Sequence, residues 1–267
     1  MAQLRVGPEA AGNSAGAIMT PDGSVLSGGP PKLLRGLSPA QVERVVAAGR
    51  RKVVHRGERL FSQGQPNNGI YLVESGRVRV FYISPTGREI TLAYWHEGNF
   101  VGGPEVYGRG RHMWSGVAAT SARILHLPGD PLRQMAAEIP ALASGIIDGL
   151  IFKAKCYSAL AQMLGTRSAT ERLANLLLHL ANLYGTEADG GSIQLATSLS
   201  HADLASMTGV TRQSVSTTLR KLSDLGLVDT GCPHLTICDP EGLEELSRGK
   251  AGASRAALRG SGRAPGP

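Results

Sequence analysis

The stretch LSHADLASMTGVTRQSVSTTLRKLSDLGLVD, residues 199–229, constrains the fold of this chain more than any other. Ser200 followed by Asp203 is a capping box, which predicts the start of a short helix. Gly209 permits a tight turn after that helix, because glycine adopts positive φ angles without steric cost. Thr211 is then placed as the N-cap of a second helix. Two short helices joined by a glycine turn predict a helix-turn-helix.

The second of these helices is predicted to bury Val215, Leu219 and Leu222 and to expose a polar, basic face. The major groove of DNA accepts one α-helix. An arginine on that helix can form hydrogen bonds with guanine, and a glutamine can form them with adenine. Hydroxyl groups are suited to contacts with the phosphates. The predicted DNA-binding residues are Ser200, His201, Thr211, Arg212, Gln213, Ser214, Ser216, Thr217 and Arg220. The alternative is an ordinary helical hairpin with a polar surface. The segment HLTICD, residues 234–239, predicts a wing strand beside the motif.

The net charge of +7 agrees with an anionic partner such as DNA, although charge alone does not indicate a fold. No apolar run approaches the length of a membrane span, and the first residues lack an apolar signal core. The cysteines, Cys156, Cys232 and Cys238, are too few and too irregular for a disulfide framework. We therefore expect a cytoplasmic protein without a membrane partner.

Upstream of the helix-turn-helix, from Lys52 to about Leu127, the sequence is typical of short strands. The pattern breaks at Ser75-Gly76 and again at Thr86-Gly87, and each break predicts a hairpin. Closely spaced strands of this kind favour a sandwich or barrel. The predicted segments are a disordered arm over 1–36, a β-roll over 37–138, a long helix over 139–165, a winged helix-turn-helix over 166–247 and a flexible basic tail over 248–267.

The long helix carries apolar residues at alternating spacings of four and three, which is the pattern of a coiled-coil seam. The seam consists of Ile139, Ala143, Ile146, Leu150, Lys153, Tyr157, Leu160 and Leu164, with Lys153 as a polar interruption. Its length favours self-association over burial within one chain. We predict a homodimer through Ile146, Leu150, Tyr157, Leu160 and Leu164.

The order of these parts, with GERLFSQGQPNNGIYLVESGRVRVF at residues 57–81, resembles the CRP/FNR family of bacterial transcription regulators over about residues 37–246. The resemblance implies an α+β fold with an N-terminal double-stranded β-roll, a long dimerisation helix and a C-terminal winged helix-turn-helix. It also implies a dimer on near-palindromic DNA, with RNA polymerase as the expected protein partner. Arg212 matches the family's base-reading arginine, whereas Gln213 and Thr217 replace the acid and the second arginine of cAMP-responsive members.

The loop EGNFVGGPEVYGRGRHMWSG, residues 97–116, departs from the pattern of cAMP-responsive members. Those members place a glutamate for the ribose and an arginine for the cyclic phosphate at positions that correspond here to Gly103 and Met113, followed by Trp114. A buried phosphate without its arginine lacks a charged partner. Glu105 and Arg111 lie nearby, so a cAMP-responsive regulator with a rearranged loop is the alternative.

The pocket that remains predicts an uncharged, apolar or aromatic effector. Its expected residues are Gly102, Gly103, Glu105, Met113, Trp114, Tyr157 and Ser158. Haem through His96, His112 or Cys156 is a further alternative, as is the absence of any ligand. An iron–sulfur cluster is not expected, because the N-terminal arm has no cysteine group.

The sequence also argues against two other classes of protein. A cupin-type enzyme would need a His-x-His pair, whereas His55, His96, His112 and His126 are scattered. A ligand-binding module that controls a partner enzyme would not need the helix-turn-helix. We therefore predict no enzymatic activity and no catalytic residue.

Overall fold

Two four-stranded antiparallel sheets face each other in the first unit of the chain, which ends at Leu160. The structure, a computed structural model, describes residues 31–195, 200–231 and 235–249. The strands are β1 Arg50–Val54, β2 Arg59–Phe61, β3 Gly69–Ser75, β4 Val78–Ile83, β5 Glu89–Trp95, β6 Phe100–Gly102, β7 Ser115–Ala118 and β8 Ala122–Pro128. One sheet has the order β1-β8-β3-β6 and the other β2-β7-β4-β5.

The two predicted hairpins have different outcomes. β4 and β5 pair across the turn at Gly87, as predicted. The prediction at Ser75-Gly76 is wrong, because β3 and β4 belong to different sheets and do not pair. Gly76 has φ 83°, and a Cβ there would lie 2.4 Å from the Ser121 carbonyl oxygen, so this turn passes the chain from one sheet to the other where only glycine fits.

Three helices complete the first unit: α1 Pro39–Ala47, α2 Gly129–Glu138 and α3 Pro140–Thr166, which continues past the unit's end. Their apolar residues, with Ile70, Leu72 and Leu125 from the sheet, form a core separate from the one between the sheets. Leu33 is 1% exposed within this core. The prediction of a disordered arm is therefore wrong for residues 31–36, because Leu33, which belongs to no periodic pattern, packs into this core. Residues 1–30 lie outside the described part of the chain.

The predicted seam of α3 does not face outwards as a whole. Ile146 and Leu160 are buried, and Leu150 and Tyr157 pack against the cores of the first unit. The prediction that Ile146 and Leu160 contact a second chain is therefore wrong. Leu164 is half-buried.

A neighbouring stripe of α3, offset by one residue, is the exposed one. Ile147 is 55% exposed and Ile151 is 49% exposed. Ser144, Ala154 and Ser158 continue the same stripe at spacings of three and four, and all are exposed. A period of 3.5 residues fits either face of a helix that is apolar on both sides, so the spacing alone did not identify the outer face.

The second unit begins at Ala161 and contains helices α4 Ala169–Tyr184, α5 His201–Thr208, α6 Arg212–Asp224 and α7 Pro240–Ser247. Short strands β9 Gly185–Glu187, β10 Ile193–Leu195, β11 Val228–Asp229 and β12 Thr236–Ile237 form a sheet of order β11-β12-β10-β9. β11 and β12 pair with each other after α6, which is where the wing was predicted. Cys232 and His234 lie outside the described residues. The predicted basic tail beyond Gly249 also lies outside them.

Within the described residues, no single helix has the length and apolar character needed to cross a membrane. Helices α2 and α3 pass that test only when taken together, and they are bent by 118° at their break.

Candidate DNA-binding and effector sites

Helices α5 and α6 form the helix-turn-helix that the sequence predicts. The Ser200 hydroxyl accepts from the Asp203 backbone N–H at 3.1 Å, and the Asp203 carboxylate accepts from the Ser200 backbone N–H at 3.0 Å. Gly209 ends α5 in the left-handed conformation with φ 67°. The Thr211 hydroxyl then accepts from the Ser214 backbone N–H at 3.1 Å and fixes the start of α6. The turn at Gly209 and the cap at Thr211 thus fix where α6 begins.

The side chains of α6 divide into two sets. Val215, Leu219 and Leu222 are buried, as predicted, and hold α6 in the unit. The exposed set consists of Arg212, Gln213, Thr217 and Arg220, whose side chains make no hydrogen bond with any residue that the structure describes. A surface helix that presents a polar and basic face of this kind suits a major groove.

The remaining predicted residues are already engaged within the protein. The His201 Nδ1 and Ser216 Oγ atoms lie 2.8 Å apart, which links the start of α5 to α6. The Ser216 hydroxyl also donates to the Arg212 carbonyl oxygen at 3.2 Å, and the Ser214 and Thr211 hydroxyls are 2.8 Å apart. These contacts position α6. Lys221, exposed beside Arg220, is a further basic residue of this helix and was not among the predicted DNA-binding residues.

Asn67 is hydrogen-bonded to the loop of residues 97–116 through both its side chain and its backbone. Its buried side-chain amide donates to the Glu105 carbonyl oxygen at 2.9 Å and accepts from the Gly69 backbone N–H at 3.0 Å. Its backbone N–H donates to the Gly110 carbonyl oxygen at 3.0 Å. Arg109, next to Gly110, has φ 82°, an uncommon angle for a residue with a side chain.

Of the predicted effector residues, Gly102, Trp114 and Tyr157 come together. The Trp114 indole N–H donates to the Gly102 carbonyl oxygen at 2.9 Å, and the Trp114 and Tyr157 ring centroids lie 5.4 Å apart. Burial raises the pKa of the Tyr157 phenol, which keeps it neutral. The group is aromatic and uncharged.

The other predicted effector residues lie apart from this group or face solvent. Gly103 is buried, and a Cβ there would lie 2.9 Å from the Asn67 amide nitrogen. Met113 is 57% exposed. Glu105 and Ser158 are exposed. The guanidinium of Arg111 donates to the Gly64 carbonyl oxygen at 2.7 Å, so it is engaged with its own chain.

Lys153, predicted as a polar interruption of the helix seam, is 7% exposed. Its ammonium donates to the Phe100 carbonyl oxygen at 2.7 Å and lies 3.6 Å from the Trp95 ring centroid and 4.3 Å from that of Phe100. Burial lowers the pKa of Lys153 to about 7. Two aromatic faces and one carbonyl stabilise the charged form, so this residue ties α3 to β6.

The candidate haem ligands Cys156, His112 and His96 are each buried or partly buried. Cys156 belongs to the core between the sheets, and burial raises the pKa of its thiol to about 12, whereas metal binding requires a thiolate. His112 is buried and stacks on Phe61 with centroids 4.3 Å apart. Burial, followed by the charge of Arg77, lowers the pKa of His96 to about 4. Among the residues that the structure describes, no three His, Cys, Asp or Glu side chains are grouped to hold a metal.

Comparison with known proteins identifies both units. A family model for a cyclic nucleotide-binding domain matches residues 51–138, and a model for a Crp-like helix-turn-helix domain matches residues 171–246. The chain belongs to the CRP/FNR family of transcription regulators. The predicted α+β fold, with an N-terminal β-roll, a long helix and a C-terminal winged helix-turn-helix, is confirmed.

Relatives of this CRP/FNR chain include transcription regulators of known name. A CRP-like cAMP-activated global transcriptional regulator of Mycobacterium tuberculosis is 26% identical over 72% of this chain and 86% of its own. A cyclic AMP receptor protein of Thermus thermophilus is 27% identical over 82% of this chain and 98% of its own. The c-di-GMP responsive global regulator CLP of Xanthomonas campestris shares the fold, with a TM-score of 0.66 and 21% identity over 75% of this chain and 99% of its own.

These comparisons establish a DNA-binding transcription regulator with an effector domain of the cyclic nucleotide-binding type. The relatives are transcription regulators rather than enzymes. A domain of this type implies a small-molecule effector.

Proposed function

We propose that this CRP/FNR regulator binds a near-palindromic operator as a homodimer and responds to a small effector other than cAMP. The observation that carries the proposal is the exposed face of α6, where Arg212, Gln213, Thr217 and Arg220 are available for a groove. Two such helices in a symmetric dimer would read half-sites about one helical turn apart. RNA polymerase is the expected protein partner of a DNA-bound regulator of this family.

The dimer interface that we propose is the exposed stripe of α3. Ile147 and Ile151 are large apolar side chains that one chain leaves in water, and the small residues Ser144, Ala154 and Ser158 allow a second helix to approach closely. A stripe with a period of 3.5 residues fits a left-handed pair of helices. This assignment replaces the predicted seam, whose Ile146 and Leu160 are buried.

Arg212→Ala is expected to weaken binding to a specific operator by about 1–3 kcal/mol and to relax the preference at one base pair of each half-site. The reason is the loss of a two-pronged contact with guanine from the exposed first turn of α6. Operator libraries measured by fluorescence anisotropy at fixed salt would show both effects. Arg56→Ala is the matched control, because it removes the same charge from an exposed turn of the first unit. An equal loss on every sequence would assign Arg212 to a phosphate.

The proposal of an effector other than cAMP depends on charge. Gly103 and Met113 occupy the positions of the ribose acid and the phosphate arginine, and neither can compensate a buried anion. The Arg111 guanidinium already donates a hydrogen bond to the Gly64 carbonyl oxygen. This contact does not favour the alternative, in which a rearranged loop would bring Arg111 to the cyclic phosphate. Trp114 and Tyr157 offer aromatic surface at this place, which suits an apolar or aromatic molecule.

Titration of the protein with cAMP should leave its DNA affinity unchanged, because the loop lacks a charged partner for the cyclic phosphate. Fluorescence anisotropy on a labelled operator measures the effect, and the cAMP-activated Mycobacterium tuberculosis regulator provides the positive control. A severalfold rise in affinity at micromolar cAMP would overturn the proposal. In that case Arg111→Gln would identify whether Arg111 had become the phosphate ligand.

A further inference from the structure

A cavity of about 340 Å³ opens beside β1, and none of its lining residues belongs to the loop of residues 97–116 or to α3. Its volume lies within the usual range for small-molecule pockets. The residues that matter for its chemistry are Arg50, Lys52, Leu60, Tyr71, Ile124 and His126. It is therefore a place for a ligand separate from the Trp114–Tyr157 group.

The register of the sheet explains how charged and apolar residues meet there. Arg50 pairs with His126 and Lys52 pairs with Ile124 across β1 and β8. Alternate residues of a strand lie on the same face of the sheet, so Arg50 and Lys52 share a face with Val54 on β1. Val54 and Ile124 belong to the core between the sheets. The cavity is thus the outer end of that core, with an apolar floor and a basic rim.

The charges at the rim are not balanced. Lys52 forms an ion pair with Glu58 at 2.7 Å, and Arg51 forms one with Glu74 at 3.0 Å. Arg50 forms no ion pair with any residue that the structure describes. One guanidinium therefore stands at the edge of an apolar cavity without an anion, and a guanidinium is the side chain best suited to a carboxylate or a phosphate.

A row of neighbouring rings runs from the cavity to the loop of residues 97–116. His126 is tilted against Tyr71 at a centroid distance of 4.8 Å, Tyr71 stacks on Phe61 at 5.4 Å, and Phe61 stacks on His112 at 4.3 Å. His112 lies in the loop that carries Trp114, next but one along the chain. A molecule seated on Tyr71 and His126 would contact the same row of rings that supports the loop.

We propose that this cavity is a second ligand site, which binds a small amphipathic anion with its apolar body on Leu60, Tyr71 and Ile124 and its carboxylate or phosphate on Arg50. His126 lies beside that anionic group. Its Nε2 atom lies 3.0 Å from the Asn68 side-chain oxygen, so the ring is held in place at the rim.

The test uses octanoate as the probe and the imidazole of His126 as the reporter. Burial, and then the charge of Arg50, lower the pKa of His126 in the free protein. A bound carboxylate favours the protonated ring, so saturating octanoate should raise the pKa of His126 followed by NMR. Octan-1-ol, which has the same chain without the charge, should bind at least about tenfold more weakly.

Arg50→Gln should weaken octanoate binding by about tenfold, because it removes a charge-assisted hydrogen bond from an exposed rim. Arg56→Gln is the control and should leave binding unchanged. Leu60→Trp, which adds bulk to the lining, should abolish binding while the far-ultraviolet spectrum stays native. An unchanged His126 pKa, equal affinities for Arg50→Gln and Arg56→Gln, or loss of binding only in Trp114→Phe would each overturn the proposal.

Discussion

Replacing both Ile147 and Ile151 by lysine should leave the chain monomeric and lower its affinity for a two-half-site operator by at least about a hundredfold. The two side chains are 55% and 49% exposed in one chain, and they are the large apolar members of the α3 stripe. Lysines at both positions would place four charges between two close helices. A bivalent protein gains about 10²–10⁴ in avidity over one arm, and a monomer loses that gain.

Sedimentation velocity measures the loss of the dimer, and fluorescence anisotropy measures the loss of operator affinity. Val53→Lys is the matched control, because Val53 is an apolar residue on β1 that is 61% exposed and lies outside α3. Binding to a single half-site should be similar in the variant and in the wild type, since α6 is unchanged. A dimer that persists in the double variant would assign the interface to another surface.

Local signals in the sequence predicted the helix ends well. The capping box at Ser200 and the N-cap at Thr211 both form in the structure, and Gly209 adopts the left-handed conformation that its turn requires. Each of these features depends on residues within one turn of helix, so no distant contact can override it. The same reasoning explains why the start of each helix in the helix-turn-helix was predicted correctly.

Features that depend on distant parts of the chain were predicted less well. The turn at Gly76 looked like a hairpin, but the partners of β3 are β6 and β8, which follow it by many residues. The side of α3 that faces the sheets includes Gly149, where a Cβ would lie 2.4 Å from the ring of Phe100 on β6. No spacing within α3 reveals that contact.

The candidate effector residues show the same division. The sequence placed Trp114 and Tyr157 in one pocket through a family resemblance, and the structure brings their rings together. It did not reveal that Lys153 would be buried between Trp95 and Phe100, because a lysine in a helix is ordinarily exposed. The signal that could have found it was the position of Lys153 in line with Ile146 and Leu160 on the buried face.

Burial of Lys153 makes the stability of the first unit depend on pH. The pKa of this lysine is about 7 in the folded chain, well below its ordinary value of about 10.4. Below pH 7 both the folded and the unfolded states are protonated, and the folded state carries the full cost of the buried charge. Between those two pKa values the unfolded state binds more protons, so stability rises with pH.

Lys153→Met removes this titration at similar side-chain volume and supplies the test. Relative to the variant, the wild type should gain about 1.4 kcal/mol in free energy of unfolding for each pH unit above 7, or roughly 4 kcal/mol by pH 10. Urea unfolding followed by tryptophan fluorescence reports on the first unit alone, because Trp95 and Trp114 both lie there. Lys155→Met, which removes an exposed lysine from the same helix, is the control. A difference between wild type and Lys153→Met that stays constant from pH 7 to pH 10 would mean that the Phe100 carbonyl and the two aromatic rings keep the ammonium charged throughout.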